Sequence, residues 1–374
     1  MLRLTVCAVL MTVTWAATSE RVPDFAVSDA ELQTLVGTLR EQDANRARPN
    51  QIGLDYQGHT TTQNDADNAR NSLFQHVDTS VLRKPTYEKF IALTDNYDKY
   101  TGNAEDETNA EKNEITSFLD AVLESTIWRK LYEFLHDKNH PYASDTATFR
   151  KWIAQLWFVR YSRAKGRLDT SGFEHIFMGE IKNNEISGMH NWVRFYLLEK
   201  DSSQRFDYKG FLVQRFNVMA AVKFSWGSEY KRSGSFLIGT SPEFDMALYT
   251  LCFLSRRGRS TCNIEINGCP MAITSHDLIQ QGKLSKPTVK MADQAELPKI
   301  TREELEKHCT ADSLWIVFGG KVYDVTKFLE DHPGGNDILM EHGGKDATED
   351  FEDVGHSSDA RVLRDGYLVG ILAD

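Results

Sequence analysis

The spacing of apolar residues changes once within the first three quarters of this chain, and that change limits what it can fold into. Between residues 24 and 165 apolar positions recur every three or four residues. Ile115, Phe118, Leu119, Val122 and Leu123, continuing through Ile127, Leu131, Phe134 and Leu135, form a long helical stripe. Phe149, Trp152, Ile153, Leu156 and Trp157 form another. Ser28-x-x-Glu31 ahead of Leu32, Leu35, Val36 and Leu39 is a capping box, and Pro85-Thr86-Tyr87 opens a helix through Phe90, Ile91 and Leu93. After Tyr161-Ser162-Arg163 the period shortens towards that of strands. Residues 211–226 carry two strand-like runs, a Gly227-Ser228-Glu229-Tyr230 turn follows, and Lys231 comes after it. Ser241-Pro242-Glu243 starts a helix through Ala247, Leu248, Leu251 and Leu254, and residues 262–266 alternate as a strand that 270–274 extends. The chain therefore reads as α+β: a helical N-terminal region plus an antiparallel-sheet region, followed by a small α+β domain.

The segment 171–192 carries the candidate chemistry. His175 and His190 flank Asn183-Asn184, a turn signal because Asn tolerates left-handed backbone angles. Phe173, His175 and Phe177 alternate as one strand, and Trp192, Arg194 and Tyr196 as a second. In a hairpin centred on the two asparagines, opposed residues sum to 367 and His190 faces Phe177. Both imidazoles then share a face as diagonal neighbours about 7–8 Å apart. Two imidazoles suit acid-base work, since each titrates near neutral pH. The spacing alone fits two hydrogen-bonded hairpin histidines just as well. As metal ligands, with Glu174 or Glu180 supplying oxygen, they would have no standard spacing.

Charge and cysteine content bound the remainder. The 374 residues suggest two domains. The net charge of −11 is uneven: residues 297–374 hold 17 acidic and 8 basic residues, a net of −9, which leaves −2 for everything before them. A front portion that is not basic excludes strong non-specific duplex binding. Residues 1–19 read as a secretory signal, with Arg3, a short apolar run and small residues at 16–19, which places the mature protein outside the cell or in the secretory-pathway lumen. No other long apolar segment is present, so stable membrane insertion is not expected. Beyond Cys7, Cys252, Cys262, Cys269 and Cys309 remain; Cys262–Cys269, Cys252–Cys262 and four free thiols are all open readings. Residues 277–296 are polar without apolar period and read as a linker between a domain at 24–276 and one at 297–374.

Two resemblances sharpen this. Ser-Gly-Phe-Glu-His-Ile-Phe-Met-Gly-Glu at 171–180, followed by Ser-Gly-Met-His-Asn-Trp-Val-Arg-Phe-Tyr at 187–196, resembles the paired-histidine signature of the EndoU family, uridylate-preferring endoribonucleases. The likeness continues through Phe224-Ser225-Trp226 to Lys231 and Gly239-Thr240-Ser241-Pro242-Glu243-Phe244, and covers residues 28–276. It implies cleavage of single-stranded RNA at uridylates by attack of the ribose 2′-OH on the adjacent phosphorus, leaving a 2′,3′-cyclic phosphate. His190 would be the base, His175 the acid, and Lys231 the cation that stabilises the transition state. Glu174, Glu180, Ser235, Thr274 and His276 would serve substrate binding. His276 stands where relatives usually carry a tyrosine, so its stacking on uracil is weaker and pH-dependent. Relatives often depend on Mn2+ or Ca2+, but no ligand set is legible here.

The second resemblance begins at residue 297. Trp315 to Val325 reads as two short strands around Gly319-Gly320, followed by His332-Pro333-Gly334-Gly335 and later Val354-Gly355-His356-Ser357. This resembles a cytochrome b5 domain over its whole length. It implies one b-type haem held between His332 and His356, with Phe328, Leu339, Phe351, Val354 and Leu363 as pocket walls, and a redox partner protein docked by charge. Two axial imidazoles suit one-electron transfer rather than oxygen activation. His308 and His342 read as surface residues. The alternative to a nuclease is an RNA-binding or electron-transfer protein without turnover; the presence of His175, His190 and Lys231 argues against it.

Overall fold

The structure is a computed structural model that describes residues 25–373 apart from 64, 104–107, 164–167, 216, 257–260, 281–282, 292–298, 333, 355–363 and 365–366. The signal segment expected at 1–19, and His356 and Leu363, lie outside the described residues.

Helical periodicity holds across the first part. It gives α1 (Asp29–Glu41), then a small antiparallel pair of β1 (Ile52–Leu54) and β2 (Phe74–Val77), then α2 (Pro85–Ala92), α3 (Asn109–Leu123), α4 (Thr126–Asp137) and α5 (Thr146–Phe158). The stripe from Ile115 to Leu135 is two helices, because Ser125 caps a new one: its side chain accepts from Trp128 N. Ser28, Thr108 and Asp145 cap α1, α3 and α5 in the same way, each worth about 1 kcal/mol. The capping box at Ser28 and Glu31 is formed.

The sheet region follows with β3 (Glu180–Lys182), β4 (Glu185–Ser187), α6 (Trp192–Lys200), β5 (Phe206–Arg215), β6 (Met219–Trp226), β7 (Glu229–Leu237), α7 (Pro242–Ser255), β8 (Thr261–Ile266), β9 (Cys269–Gln280) and β10 (Lys283–Met291). Five strands run in the order β3-β4-β7-β6-β5, antiparallel except where Glu185 of β4 meets Tyr230 of β7 in parallel. A second sheet is ordered β10-β9-β8. The turn at Asn183-Asn184 forms with both residues at positive φ, and its register sums to 367: Glu180↔Ser187, Ile181↔Ile186, Lys182↔Glu185.

Two expectations about this region fail. The alternating residues on either side of that hairpin are helical: Glu174–Met178 is a wide helical turn, and Trp192–Lys200 is α6. All five residues of the turn are buried, so no exposed face marks its period; Asn191 caps α6 by accepting from Val193 N and Arg194 N. Residues 277–280 and 283–291, expected as linker, belong to the sheet, since β9 runs on to Gln280 and β10 pairs with it from Lys283. Their ladder is made by backbone, which a search for apolar period does not see. Pro287 sits at an irregularity in that pairing, where a missing donor is tolerated.

Every residue of α7 is buried, and three indoles pin it. Trp128 of α4 donates to Glu243 O at 2.9 Å, Trp157 of α5 to Thr250 Oγ1 at 2.9 Å, and Trp192 of α6 to Thr240 O at 2.8 Å. A buried Trp N–H requires such a partner, so these bonds fix how the helices meet the centre. Cys252 and Cys262 form a disulfide that ties α7 to β8, while Cys269 is a buried thiol and Cys309 an exposed one.

The C-terminal part comprises β11 (Lys299–Ile300), α8 (Arg302–Leu305), β12 (Cys309–Thr310), β13 (Ser313–Phe318), β14 (Lys321–Asp324), α9 (Asn336–Glu341), α10 (Thr348–Asp353) and β15 (Leu368–Leu372), with strand order β11-β15-β14-β13-β12. The expected Gly319-Gly320 turn joins β13 to β14. No helix among the described residues is long and apolar enough to cross a membrane.

Candidate active site

The hairpin's backbone pairing continues past its strands and brings the two histidines together. Met189 N donates to His175 O at 3.1 Å, and His190 N to Ile176 O at 2.6 Å. Gly188 makes this approach possible: a Cβ there would lie 1.7 Å from His175 O, and its φ of +72° is a conformation that L residues rarely adopt. Met189, at φ +62°, carries strain of the kind that collects at functional sites. The parallel contact of β4 with β7 sets Lys231 beside the hairpin. Arg163, His175, Lys182, Glu185, His190 and Lys231 face a common cavity of about 270 Å3. Lys231 is 4% exposed and lies within β7, so it is not the surface residue that its place after a turn suggests.

The hydrogen bonds assign opposite roles to the rings. His190 Nδ1 lies 2.8 Å from the carbonyl oxygen of Ser235. A carbonyl only accepts, so Nδ1 carries the proton and Nε2 keeps its lone pair. His175 Nδ1 lies 2.6 Å from Arg163 Nη1. A guanidinium only donates, so this Nδ1 accepts and the proton sits on Nε2. That nitrogen is buried and has no hydrogen-bond partner among the described residues, which leaves it as a donor for an incoming oxygen.

Glu180 completes the arrangement behind His175. Its carboxylate accepts from Arg163 Nη1 at 2.7 Å and from Thr170 Oγ1, and its Oε1 lies 3.5 Å from His175 Nδ1. Burial alone would push the carboxyl up, but the proximity of His175 and Arg163 outweighs it and holds the group below the usual range. For His175, burial dominates and lowers the pKa; Glu180 opposes the shift, and Arg163 and Lys231 reinforce it.

The other expected residues are placed less directly. Glu174, the first residue of the 174–178 turn, and Glu180 are both buried, and neither lines the cavity. Ser235 acts through its carbonyl on His190, while its own hydroxyl is buried without a partner. Thr274 and His276 lie on β9, paired across from Lys290 and Thr288 of β10. Thr274 is not among the residues that line the cavity. Arg163 was missed, because an Arg closing a helix-to-strand transition has no local signature. Among the described residues no group of three His, Cys, Asp or Glu side chains is placed to hold a metal ion.

A second cavity, about 560 Å3, lies in the C-terminal part. Phe328, Leu339, Phe351 and Val354 wall it as expected, with His332 facing in. His332 Nδ1 donates to Gly335 O at 2.9 Å, which fixes the tautomer that presents Nε2 as a ligand nitrogen. A Cβ on Gly334 would lie 2.8 Å from the His332 ring, so this turn needs glycine. The apolar walls and the oriented imidazole fit a haem. Two histidines read as surface residues are half-buried: His342 lines the same cavity with Asp350 at 3.7 Å, and His308 stacks on Trp315 at 3.5 Å.

Fold and site thus define a two-part protein, in which a helix-and-sheet part presents paired imidazoles and a lysine, and a small C-terminal part presents a histidine-bearing apolar pocket. Residues 31–288 match the family described as Endoribonuclease XendoU, and residues 301–373 the Cytochrome b5-like Heme/Steroid binding domain. The uridylate-specific endoribonuclease of Bos taurus is 36% identical over 258 residues, covering 67% of this chain and 61% of that protein. Uridylate-specific endoribonuclease D of Xenopus laevis is 38% identical over 257 residues, covering 67% and 83%. The solved structure of XendoU, described as a splicing independent snoRNA processing endoribonuclease, aligns with a TM-score of 0.55 at 32% identity over 71% of this chain and 98% of that one. The chain spans about three fifths of the length of the Bos taurus relative. This chain belongs to the XendoU endoribonuclease family and carries a C-terminal cytochrome b5-like domain.

Proposed function

We propose that the protein is an endoribonuclease that cleaves single-stranded RNA at uridylates through 2′-OH transesterification. The observation that carries this reading is the opposite tautomer of the two rings, a lone pair on His190 and an N–H on His175 beside one cavity. His190 Nε2 takes the 2′-OH proton as that oxygen attacks the phosphorus. For this step His175 Nδ1 gives up its bond from Arg163 and takes a proton that faces the Glu180 carboxylate, 3.5 Å away, and the ring then gives its Nε2 proton to the departing 5′-oxygen. A 2′,3′-cyclic phosphate and a free 5′-OH result. The protons lost and gained by the rings then exchange with water. Lys231 stabilises the added charge on phosphorus, and each acid-base partner contributes about 10²–10⁴-fold. The uridine preference is drawn from the uridylate-specific relatives of Bos taurus and Xenopus laevis.

Mass analysis of oligonucleotide products tests the reaction. The expected species end in a cyclic phosphate, and His190→Ala abolishes them. Products with a 3′-OH, or full cleavage by His190→Ala, would overturn the reading.

In the C-terminal domain His332 would hold a b-type haem, with His356 as the second ligand by resemblance to the family. Such a group supplies one-electron transfer to a redox partner. Haem added to the purified protein is expected to give a b-type reduced-minus-oxidised spectrum that His332→Ala loses. Entry into the secretory pathway rests on residues 1–19. Terminal sequencing of the secreted product should find the chain cut between residues 16 and 19.

A further inference from the structure

The catalytic hairpin ends in a charged tip that the reaction above does not use. Lys182 and Glu185 flank the Asn183-Asn184 turn, directly opposed in the ladder of β3 and β4, and both line the catalytic cavity. The strand sets the direction of the lysine, because residues two apart project from the same face. Glu180, two residues back on β3, is aimed at His175, with Oε1 3.5 Å from Nδ1. Lys182 therefore leaves β3 on the side that carries the acid, about 7 Å further along the strand. Burial falls in the same direction: Glu180 is buried, Lys182 half-buried and Glu185 exposed. The tip thus stands where the cavity opens to solvent, while Lys231 is buried within it. Arg163, another cation on this cavity, already holds Glu180 and His175. The lysine at the opening has a flexible four-carbon stem, which lets its ammonium follow a ligand.

We propose that Lys182 binds the phosphate next to the scissile one, giving the cavity a second phosphate subsite, and that Glu185 across the turn weakens this contact by its opposite charge. The inference rests on the nuclease reading. An RNA strand bound with its scissile phosphate between the two imidazoles carries further phosphates on both sides, and one of them passes the hairpin tip. A phosphate contact positions the strand and carries no sequence information. The subsite therefore favours a uridylate inside a strand over one at an end, whatever base stands beside it.

The test uses the full-length protein and a 12-nucleotide deoxynucleotide strand with one ribouridine, whose 2′-OH is the sole attacking group. Two further strands carry an uncharged methylphosphonate in place of the phosphate one step to the 5′ side or one step to the 3′ side of the scissile linkage. Cleavage is read as kcat/KM at low salt, and each neutralised strand is compared with its parent as a ratio, so that any general loss of activity in a variant cancels. In the unmodified protein one of the two neutralisations is expected to cost about tenfold, the size of one charge-assisted contact, and its side tells which flanking phosphate Lys182 holds. Lys182→Ala loses that sensitivity, Lys182→Arg keeps it, and Glu185→Gln increases it. A purely structural role of the tip would not move the two charge-removing variants in opposite directions. Equal cleavage of all three strands by the unmodified protein overturns the subsite and leaves the nuclease reading standing. So does an undiminished sensitivity in Lys182→Ala, or a loss of it in Glu185→Gln as well. An unmodified protein that does not cut the parent strand at its uridine refutes the nuclease reading, and the subsite with it.

Discussion

Arg163 and Glu180 act on the same nitrogen of His175 with opposite signs, so neutralising each should move the enzyme's pH dependence in opposite directions. Glu180 Oε1 is 3.5 Å from Nδ1 and Arg163 Nη1 is 2.6 Å from it. At an effective dielectric constant of about 20, a charge 3.5 Å away is worth on the order of 5 kcal/mol, large enough for its removal to move the limb measurably. Glu180→Gln removes the attraction that helps His175 hold its second proton and leaves Arg163 opposing it. In the proposed reaction the imidazolium is the acid, so activity falls above its pKa. The alkaline limb should therefore move to lower pH in Glu180→Gln, with a loss of about 10²–10⁴-fold in kcat at neutral pH. Arg163→Ala should move the same limb to higher pH. Gln keeps one acceptor oxygen, for Arg163 or for Thr170 but not for both, and breaking a buried ion pair commonly costs about 3–5 kcal/mol, so folding is checked by urea melts. The assay is kcat/KM on a uridine oligonucleotide between pH 4.5 and 9.5. Two folded variants that shift the limb the same way, or leave it in place, would refute the opposed action of the two charges.

Two further predictions concern stability. Burial pushes the Asp43 carboxyl up to about 6 against the hydrogen bonds from Ser241, with Glu243 adding to the rise. A carboxyl raised in the folded state gives stability that is complete below its unfolded pKa near 4 and is lost as pH rises through 6. Asp43→Asn should therefore gain on the unmodified protein by up to about 3 kcal/mol between pH 4 and pH 7.5, read from urea melts at both. The Cys252–Cys262 disulfide closes a short loop, with a sequence separation of 10. Reduction should cost roughly 2–3 kcal/mol and lower the melting temperature by several degrees, measured with and without dithiothreitol.

The parts of the fold that were legible in the sequence are those written in local chemistry. Ser28 with Glu31, Ser241 with Pro242, and Asn183-Asn184 each satisfy or bend backbone within a few residues, and each forms as read. The register sum of 367 held for the same reason, since a two-residue turn sets the pairing of the strands it joins. The secondary structure on either side of the hairpin was not legible. Period two and period 3.6 differ only where one face meets water, and residues 174–178 meet none. The sheet at 277–280 and 283–291 escaped because hydrogen bonds between main chains leave no mark on residue type.

The site divides along the same line. His175, His190 and Lys231 were readable as residues through the resemblance of 171–196 and 224–231 to the EndoU signature. His332 was readable too, because the glycines after it serve a turn and a close approach. Their states were not readable. Whether an imidazole offers a proton or a lone pair depends on what faces its other nitrogen. Those partners, Arg163 for His175 and the Ser235 carbonyl for His190, come from 12 and 45 residues away. The sequence by itself determined which chemical groups are available and the short-range turns and caps that carry them. Only the tertiary structure decided burial, tautomer and charge balance, because these depend on contacts that the chain makes with distant parts of itself.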